Sequence, residues 1–294
     1  MIRIFSVLGR ISNWPTVWSN CLAAWLLGGG GSSARLAILG LGATILYTSG
    51  PVLNDAFDTD FDRAYRPERP IPSGKISRRH VWILGSALLG LGWLVIASLG
   101  LSPALVASGL VVMIVLYNAV HKYTPLAPVL MGGCRFLLYI VAALSAQPIL
   151  NTRLLWRALA LALYVAGLSC LARHESTPAT IPRWPIALVL APVPIALLTS
   201  DGGQLPLLIL PGVLFVSWLS WSLAQAWLSP TDSRFTFHVS RSTHHASLPR
   251  AVAALLAGIV LVDWLAAGAG STTALVFVAL FVLANVLQRI VPAT

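Results

Sequence analysis

Four of the nine acidic residues in this 294-residue chain fall within NDAFDTDFD, residues 54 to 62: Asp55, Asp58, Asp60 and Asp62. Six basic residues follow closely: Arg63, Arg66, Arg69, Lys75, Arg78 and Arg79. If the chain is helical here, Asn54, Asp58 and Asp62 are spaced i, i+4, i+8, and Asp55 lies one turn from Asp58 and two from Asp62. Three carboxylates and an amide then share one stripe, while Asp60 points elsewhere. Carboxylates this close repel one another and are costly near low dielectric. A divalent cation resolves that conflict. Hard oxygen ligands that fill only part of a coordination shell suit Mg²⁺, which keeps waters and is shared with substrate phosphates. The arginines and Lys75 just beyond can hold the remaining phosphate oxygens. Together the two clusters describe a diphosphate site. The competing reading is a solvated loop whose charges pair with each other.

The elements that position these residues are membrane helices. The chain is 57% hydrophobic and only 10% charged, far from the quarter or so of charged residues in soluble domains. Apolar runs of spanning length, roughly 17 to 25 residues, recur along nearly all of it. Ten are expected, near 14–28, 36–53, 81–99, 104–118, 128–147, 155–171, 185–199, 205–227, 251–267 and 272–289, divided by glycine, proline and "DGG" punctuation. The expected fold is all-α, a polytopic transmembrane bundle of nine or ten helices forming one domain over 1–294. Fifteen Lys and Arg residues then share one face, and Arg35, Arg153 and Arg157 fall on the other, with Arg135 inside a span. The positive-inside rule places the fifteen, and both termini, in the cytoplasm. Four polar segments, 54–80, 119–127, 172–184 and 228–250, converge over that mouth.

Other readings of the composition are weaker. A net charge of +10 permits nucleic-acid binding, but most cations flank apolar spans, where topology and anionic lipid account for them. Cys21, Cys134 and Cys170 lie inside spans without metal-ligand spacing. His238, His244 and His245 have neither acidic partners nor helix-paired spacing, and read as part of a basic surface loop. The first 31 residues carry Asn13, Pro15, Asn20 and three tryptophans, and read as a retained helix rather than a cleaved leader.

"NDAFDTDFD" fits N-D-x-x-D-x-x-x-D, and "RPERPIPSGKIS" resembles R-P-[IL]-x-x-G-x-[IV]. With the membrane context, these resemble the first signature of the UbiA superfamily of intramembrane prenyltransferases. "RISNWPTVWSN" and "YNAVHKYTPLAPVLMGGCRFLLY" look like its EboC-like branch. The resemblance implies a helical bundle around a central cavity, transfer of an isoprenyl group from its diphosphate to an unidentified acceptor, and Mg²⁺ as cofactor. It implies Asn54, Asp55, Asp58 and Asp62 as metal ligands, with Asp58 and Asp62 central to catalysis. Arg69 and Lys75 match the basic positions nearby, and Lys122 is a further diphosphate ligand. The implied partners are the lipid bilayer, the isoprenyl diphosphate and the acceptor, with no nucleic acid and no obligate protein partner. A bacterial inner membrane is the expected location.

The second aspartate-rich signature of that superfamily is missing. Its equivalent, "YVAGLSCLARHESTPATIPRW" at 164–184, holds no aspartate. Glu175 and Arg173 are the substitutes to consider, Glu175 as a metal ligand and Arg173 as a cation on the diphosphate, against a role in capping the helix end. Arg135, deep in the fifth span, is expected to face the cavity and bind diphosphate. Trp14, Trp18, Tyr117 and Tyr139 are candidates to stabilise a carbocation. Asn13, Asn20 and Asn118 face substrate or bond between helices, and Asp263 is expected to serve structure. A noncatalytic isoprenoid-diphosphate carrier that has lost the second signature is the alternative function. A phosphatidyl-alcohol transferase lacks support, since "DRAYR" does not supply D-G-x-x-A-R.

Overall fold

The computed structural model describes residues 2–173, 183–227 and 244–291. A short helix α1 (Ile2–Leu8) and a 3₁₀ turn (Ile11–Asn13) lead into α2 (Trp14–Leu27) and α3 (Ser33–Phe57). The acidic stretch carries the small helix α4 (Thr59–Tyr65). Then come α5 (Arg78–Ala97), α6 (Leu101–Val120), α7 (Ala127–Ala146) and α8 (Thr152–Ala172). The chain continues through α9 (Pro185–Leu190), α10 (Pro192–Leu198), α11 (Leu205–Trp227), α12 (His244–Ala267) and α13 (Ser271–Ile290).

Ten helical segments therefore lie where ten spans were expected, but they are not equivalent. Among the described residues, eight helices are long and apolar enough to cross a bilayer. The first segment, α2, has 14 residues. The seventh is divided into α9 and α10 because Pro192 and Pro194 withdraw two backbone donors from its middle, which interrupts the i→i−4 ladder.

Packing separates inner from outer helices. The span Leu248–Ala267 of α12 is 78% buried and that of α8 61%, against 11% for α13. The apolar faces of α5 and α13 thus remain for lipid, where side chains gain nothing by hiding from hydrocarbon. Close helix approach instead depends on small residues. A Cβ on Gly92 would stand 2.7 Å from the Leu46 backbone nitrogen, and one on Gly132 would stand 2.4 Å from the Ala162 carbonyl oxygen. These glycines let α5 sit against α3 and α7 against α8.

The two ends of the bundle are fixed by polar ties between loops. At one end Arg35 donates to the carbonyls of Leu99 (2.8 Å) and Ser145 (3.1 Å), Asn151 donates to that of Leu27 (3.2 Å), and Arg153 pairs with Asp201. At the other end Lys122 reaches Asp58 and Arg173 reaches the α6–α7 turn. The acidic stretch belongs to this second end.

Candidate functional site

The helix of the second long span runs on through the acids. Phe57 is the last residue of α3 and Asp58 the junction to α4, with φ −84° and ψ 0°. The ladder nonetheless continues: the Asp58 amide donates to the Asn54 carbonyl, Asp62 to Asp58 and Arg66 to Asp62, each at 2.8 Å. The expected stripe is therefore real. Asp55 and Asp58 are each 8% exposed and Asp62 1%, whereas Asp60 projects outward and pairs with Arg63 (3.4 Å) and Arg78 (3.5 Å). Asn54 is half-buried beside them. One turn above, Asn118 donates to the Gly50 carbonyl at 3.3 Å, tying α6 to α3.

The charges do pair, though not as a solvated loop. One Arg69 nitrogen bridges Asp55 Oδ1 at 3.1 Å and Asp62 Oδ2 at 3.2 Å. Lys122 Nζ lies 2.7 Å from Asp58 Oδ1 and 4.2 Å from the Phe61 ring centroid. His121, which sequence reasoning missed, places Nε2 3.5 Å from Asp58 Oδ2 and stacks on Tyr117. Burial alone would raise the Asp58 carboxyl, but hydrogen bonds and charge from His121 and Lys122 outweigh it and hold it below the ordinary carboxylate value. Arg10 stands just before the 3₁₀ turn that leads into α2. Its left-handed backbone, φ 43°, turns the chain from α1 into the 3₁₀ segment. Lys75 is exposed and forms no ion pair among the described residues.

Two expected ligands have other partners. Arg173 gives its guanidinium to three carbonyls, those of His121 (2.9 Å), Thr124 (2.6 Å) and Pro125 (3.3 Å). Arg135 begins the third turn of α7 and points into the bundle, where it donates to Asn20 Oδ1 (2.5 Å) and Thr16 Oγ1 (3.2 Å) with its guanidinium 5.5 Å from the Tyr47 ring centroid. Asn20 in turn donates to Asp263 Oδ2 (2.6 Å), which also accepts from Ser19 (2.5 Å), while Tyr139 donates to Oδ1 (2.6 Å). Arg135, Asn20, Asp263 and Tyr139 thus form one network across α2, α7 and α12. Tyr139 is fully buried in it.

Arg157, which the sequence reading puts on the side opposite the fifteen cations, is 2% exposed within α8. It donates to the carbonyls of Leu265 (3.1 Å) and Ala196 (3.0 Å) and to Ser200 Oγ (2.6 Å). Leu265 and Ala196 lie in the last turns of α12 and α10, where carbonyls lack intrahelical donors and the helix dipole favours a cation. Glu175 and His238 lie outside the described residues.

The carboxylates offer hard oxygen donors of the kind Mg²⁺ takes, and Asp62 Oδ1 is buried without a hydrogen-bond partner. Such an orphan costs on the order of 1–3 kcal/mol, so the donor set fits a divalent cation. Among the described residues no three acids converge as a ready ligand group; Asp55 and Asp62 share Arg69, and Asp58 pairs with Lys122. Two cavities lie elsewhere. One of about 310 Å³ is lined by Leu26, Leu27, Asn151, Arg153, Gln204 and Ala267, and one of about 390 Å³ lies between α10, α11 and the end of α12.

An all-helical membrane bundle with a carboxylate stripe at one mouth is the class of protein these features define. Comparison narrows it. The model of the UbiA prenyltransferase family matches residues 12–175, more than half of the chain, and the chain belongs to that family. It is 32% identical over 122 residues to a 4-hydroxybenzoate octaprenyltransferase from Pseudomonas aeruginosa (strain LESB58), a match spanning 41% of this chain and 40% of that protein. One of the same description from Pseudoalteromonas translucida is 28% identical over 156 residues, 51% and 52% of the two chains. Among solved structures, a digeranylgeranylglyceryl phosphate synthase superposes with a TM-score of 0.60 at 17% identity, covering 91% of this chain and 98% of its own. A UbiA homologue from Archaeoglobus fulgidus, bound to GPP and Mg²⁺, gives 0.55 at 14% identity, covering 88% and 99%. At these identities the structural likeness concerns the fold.

Proposed function

We propose that this protein is an intramembrane prenyltransferase that moves an isoprenyl group from its diphosphate to a nucleophilic acceptor. The reading rests above all on Asp55, Asp58 and Asp62, three buried carboxylates held by loop cations, with one Asp62 oxygen left unpartnered. Asn54, Asp55, Asp58 and Asp62 would hold Mg²⁺, which when bound neutralises charge on the diphosphate and makes it a better leaving group. Within the family, "RISNWPTVWSN" and the stretch 117–139 favour the EboC-like branch. The abundance of cations beside the acidic end favours a cytoplasmic mouth, in a bacterial inner membrane. Residues 1–294 act as one domain.

In the reaction the allylic C–O bond breaks, its electron pair leaves with diphosphate, and the acceptor bonds to the allylic carbon as it gives up a proton. Arg69 and Lys122 supply positive charge where the diphosphate gathers negative charge, and such preorganised charge is worth most where water is excluded. Exposed Lys75 extends that charge toward the aqueous side. Trp14, Trp18 and Tyr117 are the aromatic faces available to a carbocation. Tyr139 is committed to Asp263, and Arg135 to Asn20 and Thr16, so neither is assigned to the diphosphate.

The absence of aspartate from 164–184 favours a second reading, a noncatalytic carrier of isoprenoid diphosphates. Purified protein incubated with radiolabelled isoprenyl diphosphate and a panel of aromatic and lipid acceptors separates the two. Mg²⁺-dependent release of pyrophosphate with labelled product supports transfer. Stable binding without release supports the carrier. Mass spectrometry of the co-purified lipid would identify the acceptor or product class.

A further inference from the structure

Arg173 stands where the family's second acidic signature would begin, and its surroundings assign it a different task. Both of its terminal nitrogens are engaged: one donates to the carbonyls of His121 at 2.9 Å and Thr124 at 2.6 Å, the other to that of Pro125 at 3.3 Å. Those carbonyls belong to the turn joining α6 to α7. His121 is the C-cap of α6, so Arg173 meets the negative end of a helix whose last carbonyls have no internal donor. The same turn carries Lys122, 2.7 Å from Asp58, and His121, 3.5 Å from it. Local bonds hold the turn only in part, from the Tyr123 and Thr124 amides to the Val120 carbonyl and from the Leu126 amide to Thr124 Oγ1. Tyr123 itself is 86% exposed.

We propose that Arg173 is a positioning residue: it clamps the 121–125 turn and thereby sets Lys122 against Asp58, so that the acidic site in the first half of the chain depends on the end of α8. Three of the five N–H donors of the guanidinium are committed to the turn carbonyls, which ties Arg173 to the turn and leaves only Nε–H and one Nη1–H for other partners. A planar fork reaches three separated carbonyls where an ammonium reaches fewer, so Lys is a partial substitute. The inference rests on the prenyl-diphosphate reading for its effect on ligand, and on the hydrogen bonds alone for its effect on the turn.

A double-mutant cycle tests it. The probe is geranyl thiodiphosphate, a slowly reacting isoprenyl diphosphate analogue, titrated with Mg²⁺ present and read by tryptophan fluorescence of the full chain in detergent. Arg173→Ala is expected to weaken binding about tenfold, the size of losing one well-placed charged contact, and by less than about twofold once Lys122 is already Ala. Arg173→Lys is expected to lie between wild type and Arg173→Ala, and serves as the working variant if the alanine protein does not fold. Equal losses in both Lys122 backgrounds would mean that Arg173 meets the ligand itself and would overturn the proposal, as would no loss in either. Hydrogen exchange supplies a ligand-free arm: Arg173→Ala or Arg173→Lys should speed exchange of amides 121–126 and leave α2 and α12 unchanged. Unchanged exchange in that turn overturns the clamp, whereas failure of wild-type protein to bind the probe counts against the prenyl-diphosphate reading.

Discussion

Arg69 and Arg135 are both largely buried guanidiniums serving oxygen partners in a membrane protein, yet their surroundings differ in kind. Around Arg135 the side chains serve one another: Asn20 accepts from the arginine and donates to Asp263, and both oxygens of Asp263 receive hydrogen bonds. Around Arg69 one nitrogen serves two carboxylates and Asp62 Oδ1 has no donor. In the first network the acid and the amide use both of their polar ends; in the second, one oxygen of a buried acid does not. Buried polar groups that are satisfied hold helices together, and those left short of partners mark where a ligand belongs.

The comparison can be broken most forcefully at its satisfied side. Asp263→Ala removes the shared acceptor of Ser19, Asn20 and Tyr139, and each buried donor left without a partner costs about 1–3 kcal/mol. The expected result is a large drop in unfolding temperature in detergent, while the molecules that remain folded still bind isoprenyl diphosphate. Asp58→Asn should behave in the opposite way. Its melting temperature stays near that of wild type, but Mg²⁺-dependent transfer falls by roughly 10²–10³, the scale of losing one preorganised electrostatic contact. Steady-state pyrophosphate release measures it.

Smaller effects sharpen the boundary between charge and packing. Gly132→Ala forces a Cβ to within 2.4 Å of the Ala162 carbonyl oxygen, an overlap expected to cost about 1–3 kcal/mol. It should lower stability with a proportionate loss of folded protein and no change in Mg²⁺ dependence. Asp60→Asn sits at the bottom of the scale. Its side chain is 73% exposed, and exposed pairs contribute little, so both transfer and melting should match wild type. A strong defect there would mean that the stripe has been drawn on the wrong face.

The helical spacing of Asn54, Asp58 and Asp62 was legible because the period of a helix alone decides which acids share a face, and it correctly set Asp60 apart. Lys122 was legible because its loop had to lie at the same end of the bundle. Arg157 was not. Near the start of a span it resembles an interfacial cation, and only the convergence of two helix ends, α10 and α12, explains its burial. Arg135 is too deep for a headgroup anchor, but its partners Thr16 and Asn20 lie on α2 and no local pattern joins them to it. The glycines of the α3–α5 and α7–α8 seams were visible as composition, while which helix each one admits depends on tertiary packing. The seventh span, 185–199, reads as one apolar run, and its division at Pro192 shows only in the structure.

The central claim is that the stripe of Asp55, Asp58 and Asp62 shares a divalent cation with an isoprenyl diphosphate. Its most direct measurement is equilibrium binding of a radiolabelled isoprenyl diphosphate to purified protein, with Mg²⁺ or with EDTA, for wild type and Asp62→Asn. Binding that requires Mg²⁺ and is lost in the variant is the predicted result. Equal binding in EDTA, or an unaltered Mg²⁺ requirement after Asp62→Asn, would contradict it.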